Sequence, residues 1–147
     1  MERETHGGRG GAEVLIVDDD LLFSVRIETG LKRLGYTVTV AGSGAAAFKS
    51  ASTNPPALAI VNFGNARIPA FEIVQELKAQ ERPPTILGFV SHTKLVELRP
   101  AAKEAGCDLL VANSALALRL PQLAARLAPL DGSGVQVAAA EAFAEDE

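Results

Sequence analysis

VLIVDDDLLFSVRIETGLKRLGYTVTV, residues 14–40, is the stretch on which the fold turns. It opens with Val14-Leu15-Ile16-Val17, an unbroken apolar run that ends in three aspartates. A short continuous run of this kind predicts a strand covered on both faces, as in a parallel sheet. Behind the acids, Phe23, Ile27, Gly30, Leu31 and Leu34 recur at helical spacing and share one face. Asp20 is placed to cap that helix and Gly35 to stop it. Tyr36-Thr37-Val38-Thr39-Val40 then reads as a second strand.

The same rhythm continues outward. Ala45 to Ala51 predicts a short helix, and Asn54-Pro55-Pro56 breaks the chain. Leu58-Ala59-Ile60-Val61 is a third buried strand, Phe71 to Lys78 a helix, and Arg82-Pro83-Pro84 another break. Thr85 to Val90 is a fourth strand and Leu109-Leu110-Val111-Ala112 a fifth. Pro100 fits best in the first turn of a helix, which predicts that the fourth helix starts near Arg99 and leaves Ser91 to Leu98 as a loop. By the same argument Pro121 opens the last helix, Leu120 to Leu127. Strict alternation of this kind implies an α/β domain with a doubly wound parallel sheet. Its sites lie at the carboxyl ends of the strands, where strand order reverses.

Composition excludes several classes. The chain has 147 residues and a net charge of −4, so its overall field does not favour nucleic acid or acidic lipid. No apolar run approaches the ~20 residues of a membrane span, and residues 1–12 lack the apolar centre of a signal peptide. Cys107 is the one cysteine, which rules out an internal disulfide and points to a cytoplasmic location. Residues 1–12 are expected to be a flexible tail, residues 13–128 a single domain, and residues 129–147 a second flexible tail, Ala-rich and acidic. A transient helix around Ala138 to Ala144, or docking on a partner through Val135, Val137 and Phe143, stays open there. No further domain is expected after it.

Asp18 and Asp19 end the first strand and would place two carboxylates at the sheet edge. Such oxygen donors suit Mg²⁺, although acids at a helix start are also favoured by its dipole. With VLIVDDDLLFSVRIETGLKRLGY, the stretches PPALAIVNFG and KEAGCDLLVANS resemble a response-regulator receiver domain over about Glu13 to Leu127. That resemblance implies a (βα)5 flavodoxin-like fold with strand order 2-1-3-4-5 and a role in two-component signalling. It also implies residue roles. Asp18 and Asp19 match the Mg²⁺-binding pair, and Ser91 the hydroxyl that senses phosphate. Asn62 stands where the phospho-accepting aspartate belongs, Asn113 at the lysine, Ser114 at the proline that usually follows, and Leu110 at the aromatic switch residue.

The departures carry a chemical meaning. An amide is a very poor nucleophile toward phosphorus, and Asn113 has no charge to stabilise a phosphoryl group. Asn62 also offers Mg²⁺ a neutral oxygen, so the metal site is weakened. The expected function is therefore a stand-alone pseudo-receiver, not an enzyme, that works by protein–protein contact and needs no cofactor. The resemblance puts the contact, to a partner or a second copy, on the face of the fourth helix, fifth strand and last helix. Leu95, Val96 and Leu98 are expected to be partly displayed there. One alternative is an atypical receiver that still binds Mg²⁺ or is phosphorylated on Asp18, Asp19 or Ser91. The other is a small-ligand binder of Rossmann type, because Gly42-Ser43-Gly44-Ala45-Ala46-Ala47 has the form G-x-G-x-x-A. That pattern follows the second strand instead of the first, and no acid stands where a ribose would need one. His6 and His92 are too far apart in sequence to suggest a metal site, and Ser91 beside His92 lacks a triad's geometry.

Overall fold

A computed structural model describes residues 13–145, so the tail expected at residues 1–12 lies outside the described residues. The strands are β1 (Glu13–Val17), β2 (Thr37–Ala41), β3 (Leu58–Asn62), β4 (Thr85–Val90) and β5 (Leu109–Ala112). The helices are α1 (Leu21–Arg33), α2 (Gly44–Thr53), α3 (Ala70–Lys78), α4 (His92–Ala105), α5 (Asn113–Leu118), α6 (Leu120–Leu127) and α7 (Val137–Glu145). All strand pairs are parallel, in the order β2-β1-β3-β4-β5. This is the expected flavodoxin-like fold.

Alternate residues of the strands feed two separate cores, one on each face of the sheet. Val14, Ile16, Ile60 and Val111 pack with Ile27 and Leu31 of α1 and Leu123 and Leu127 of α6. Leu15, Val17, Val61 and Leu110 pack with Ala47 of α2, Ile73 and Leu77 of α3, and Ala102 of α4. Helix ends are set by the residues read from the sequence. Asp20 accepts from the Phe23 amide, and Gly35 takes φ +104° after α1. The Tyr36 hydroxyl donates to the Ala124 and Ala128 carbonyls at the end of α6, tying that helix to the start of β2.

Two expectations change. Helix α4 does not wait for Pro100. It begins at His92 and carries the proline inside. A proline there cannot donate to the Val96 carbonyl. Val96 is 78% exposed and Pro100 is exposed too, so water can serve that carbonyl. Packing of Leu95, Leu98, Ala102 and Ala105 holds the helix together. Of the three residues expected to be partly displayed, Val96 is exposed, and Leu95 and Leu98 are half-buried against the cores.

The second change is at the C-terminal end. Beyond residue 128 the sequence left a helix around Ala138 to Ala144 open. The chain crosses to α7, whose Ala140 is fully buried in the α6 core. The helix considered only as transient there is a packed element. Helix α5, which the spacing does not predict, follows directly on β5.

Candidate functional site

The sheet's strand order reverses at β1, which has β2 on one side and β3 on the other. Chains leaving β1 and β3 in opposite directions open a crevice at their carboxyl ends. Asp18 and Asp19 enter it from β1, and Asn62 from β3. Asp18 is 1% exposed, a carboxylate enclosed by the sheet edge. Its backbone amide donates to Ala41 at the end of β2.

The Asn62 amide donates to Asp18 Oδ1 at 2.9 Å, and its own oxygen accepts from the Gly64 amide at 2.7 Å. Both ends of this side chain are therefore committed, and its orientation is fixed. Asp18 Oδ1 also accepts from the Asp20 amide at 3.2 Å. Asp19 is held by the loop after β3. Its Oδ1 accepts from the Asn65 amide, and its Oδ2 pairs with Arg67 Nε at 3.0 Å. The Asn65 oxygen in turn accepts from the Arg67 backbone amide at 2.9 Å, so the loop is braced against itself.

The remaining positions gather beside this cluster. Asn62, Ser91 and Asn113 line one open cavity together with Asn65 and Lys94. Ser91 is exposed at the start of α4, and its hydroxyl lies 3.0 Å from that of Thr93. Leu110 does not reach the cavity. It is buried behind β4, where Gly88 makes room for it and for the Phe63 ring: a Cβ on Gly88 would come within 2.9 Å of Leu110 and 2.5 Å of Phe63. Phe63 also meets Phe71 edge-on at 5.1 Å, which anchors the residue next to Asn62.

Sequence reasoning overlooked Asn65, Arg67 and Lys94. A polar loop of the form N-x-R after the third strand was the available signal for the first two, because Asp19 needs partners when it is partly shielded. Lys94 had been placed in a loop; as a residue of the first turn of α4 it reaches the cavity edge.

The G-x-G-x-x-A stretch is used locally. Ser43 caps α2 by accepting from the Ala46 amide at 3.1 Å. Cys107 is buried, and its thiol contacts the Leu109 carbonyl at 3.1 Å. Burial pushes that thiol up to about 11. His92 is exposed at the start of α4, and His6 lies outside the described residues.

The resemblance implies Mg²⁺, and the donor set can be tested for it. Asp18 Oδ2 is buried with no hydrogen-bond partner, an oxygen that a cation or a proton would satisfy. The other three oxygens of the acidic pair already hold donors. A divalent ion would have to displace Asn65 and Arg67 from Asp19, and it would gain no charge from Asn62. As arranged, the residues fit Mg²⁺ poorly. Among the described residues no group of three or more His, Cys, Asp or Glu side chains is placed to hold a metal.

No family model matches the sequence. Among curated proteins, the chain is similar to the transcriptional regulatory protein PrrA of Mycobacterium tuberculosis, at 32% identity over 95 residues. That match covers 65% of this chain and 40% of PrrA. The Mycobacterium leprae PrrA is 30% identical over 101 residues, covering 69% of this chain and 43% of its own. The chain thus spans about two fifths of the curated relatives it matches. Among solved structures, the receiver domain of NtrX from Brucella abortus aligns with a TM-score of 0.70 at 20% identity, covering 82% of this chain and 99% of that one. A signal receiver domain from Bermanella marisrubri aligns at 0.65 with 27% identity, covering 76% and 97%.

Proposed function

We propose, on the premise that this chain is a receiver-type domain of two-component signalling, that it is a pseudo-receiver: it takes no phosphate at β3 and acts by contact with a protein partner. One observation carries the proposal. At the end of β3, Asn62 is hydrogen-bonded at both ends of its side chain, to Asp18 and to the Gly64 amide. A nucleophile must present a free electron pair to phosphorus, and this amide nitrogen has none to offer. The supporting cation is missing at Asn113, and Leu110 is a buried aliphatic side chain with no ring to swing outward. Arg67 further supports the reading, because it places a positive charge on Asp19 without a metal ion.

The contact face in this proposal is α4, β5 and α6, with Val96 as its most exposed apolar residue. The domain is non-catalytic, cytoplasmic and independent of a cofactor in this reading. Among the described residues no helix is long and apolar enough to cross a membrane.

Amide NMR tests the proposal. Adding Mg²⁺ and beryllofluoride, which together mimic a phosphoryl group on aspartate, leaves the spectrum around Asn62, Ser91 and Leu110 unchanged. A saturable set of shifts spreading from residue 62 to residue 110 would overturn it.

A further inference from the structure

Helix α7 lies on the open side of the sheet. β5 is an edge strand, and a strand edge presents backbone groups that invite another chain. Helix α7 packs against both β5 and α6. The helix reads VAAAEAFAE, and within it Ala140 is fully buried and Val137 is half-buried against the core that α6 shares. Among its described side chains α7 buries an alanine and part of a valine, whereas α1 and α3 bury leucine and isoleucine.

Two hydrogen bonds join its start to α6. Gln136 accepts from the Arg126 side chain at 2.8 Å and donates its backbone amide to the Arg126 carbonyl at 2.7 Å. The connector before it includes Gly132 and Gly134, and a Cβ at either would meet nothing within 4 Å.

The ground beneath α7 has a definite chemistry. A cavity of about 110 Å³ opens between α4, β5 and α7, lined by Arg99 and Lys103 of α4, Cys107 and Asp108 before β5, Leu109 and Leu110 of β5, and Glu141 of α7. Asp108 is paired with Lys78 at 2.7 Å, which leaves two bases and an apolar floor beside Glu141; from there the sequence EAFAEDE, residues 141–147, carries acids and no base.

We propose that the face formed by the β5 edge, α6 and the second half of α4 is a docking site for an acidic, small-residue helix, occupied in cis by α7 and taken in trans by a partner's helix that displaces it. The inference deepens the protein-contact reading and rests on it, but the binding it predicts does not depend on the state of Asn62.

The test uses the full chain and a fluorescent peptide with the sequence of residues 135–147, VQVAAAEAFAEDE. Ala140→Arg unseats α7; Glu141→Lys, at an exposed position, weakens its charge match without touching the core. At least one of these variants, with a cooperative melt like the parent's, binds the peptide at one to one and at least ten-fold more tightly than the parent does. Adding Arg99→Glu and Lys103→Glu abolishes that gain, and added salt reduces it. The proposal is overturned if folded variants bind the peptide no better than the parent. It is overturned equally if the variants pair with one another at the β5 edge and ignore the peptide. A phosphate adduct on the parent would sink the pseudo-receiver reading and leave this binding result intact.

Discussion

Asn62 and its neighbours behave differently once charge is moved at single atoms. Replacing Asn62 with aspartate removes the donor to Asp18 and sets a second carboxylate beside a buried one. Like charges at that distance destabilise the fold or drive one group to hold a proton. Asn62→Asp is therefore expected to lower the melting temperature in chelator, by an amount worth roughly 1–3 kcal/mol, and to regain it with Mg²⁺. The parent protein is expected to gain less from Mg²⁺ than this variant does. The single variant stays far from full phosphorylation because Asn113 still lacks a cation, whereas Asn62→Asp with Asn113→Lys accepts phosphate. Failure of the double variant, measured by intact mass, contradicts the assignment of these two positions.

Arg67 is the second lever at this scale. Its guanidinium sits on Asp19 while remaining 82% exposed along its side chain, so the pair is screened and adds little to stability. Its effect falls on the metal instead. Arg67→Ala is expected to tighten Mg²⁺ binding several-fold by calorimetry, with the melt nearly unchanged; equal affinity in parent and variant contradicts the view that Arg67 competes with a cation. Cys107 supplies a pH prediction. Its thiol is raised by burial from 9.0 to about 11, so the folded state holds the proton more tightly than the unfolded chain. That contribution is complete below pH 9 and is lost as pH rises through 11. Cys107→Ala flattens this alkaline decline in denaturant midpoints; an unchanged decline assigns it to other groups.

At the scale of elements, Pro100 is the informative residue. It sits in the ninth position of α4, where an interior proline costs a hydrogen bond and a steric clash. Pro100→Ala restores the amide facing the Val96 carbonyl and is expected to stabilise the protein by about 1–2 kcal/mol, after allowance for the more flexible unfolded chain. A neutral or destabilising result in a thermal melt means that the proline shapes α4 for packing. The same residue marks the limit of what the sequence discloses. Strands were legible because buried parallel strands are unbroken apolar runs, and α1 because Asp20 and Gly35 bracket a regular face. The start of α4 was not, because Leu95 and Leu98 pack against residues far along the chain, and that packing outweighs a local proline penalty. For α7 the sequence suggested a helix around Ala138 to Ala144 but not its packing, because an alanine-rich segment says little about burial until β5 and α6 are in place to receive Ala140. In the site, Asp18, Asp19, Asn62, Ser91 and Asn113 came from pattern, while Asn65 and Arg67 became visible only through the loop that folds back onto Asp19.

Over the whole molecule, the sheet's switch point and its far edge are distinct working ends. The switch point holds an acidic pair in which amides and one guanidinium engage three of the four carboxylate oxygens and, among the described residues, Asp18 Oδ2 is left without a partner. The β5 edge is covered by the chain's own last helix. In the proposed reading the chain keeps the scaffold, with Asn62 and Asn113 standing where a working receiver would need an acceptor and a cation. Whether phosphate enters at β3 decides that reading. The direct measurement is the intact mass of the protein after incubation with Mg²⁺ and acetyl phosphate, beside a receiver that is known to label. The account predicts an unshifted mass while the control is fully labelled; a stoichiometric phosphate adduct on this chain would contradict it.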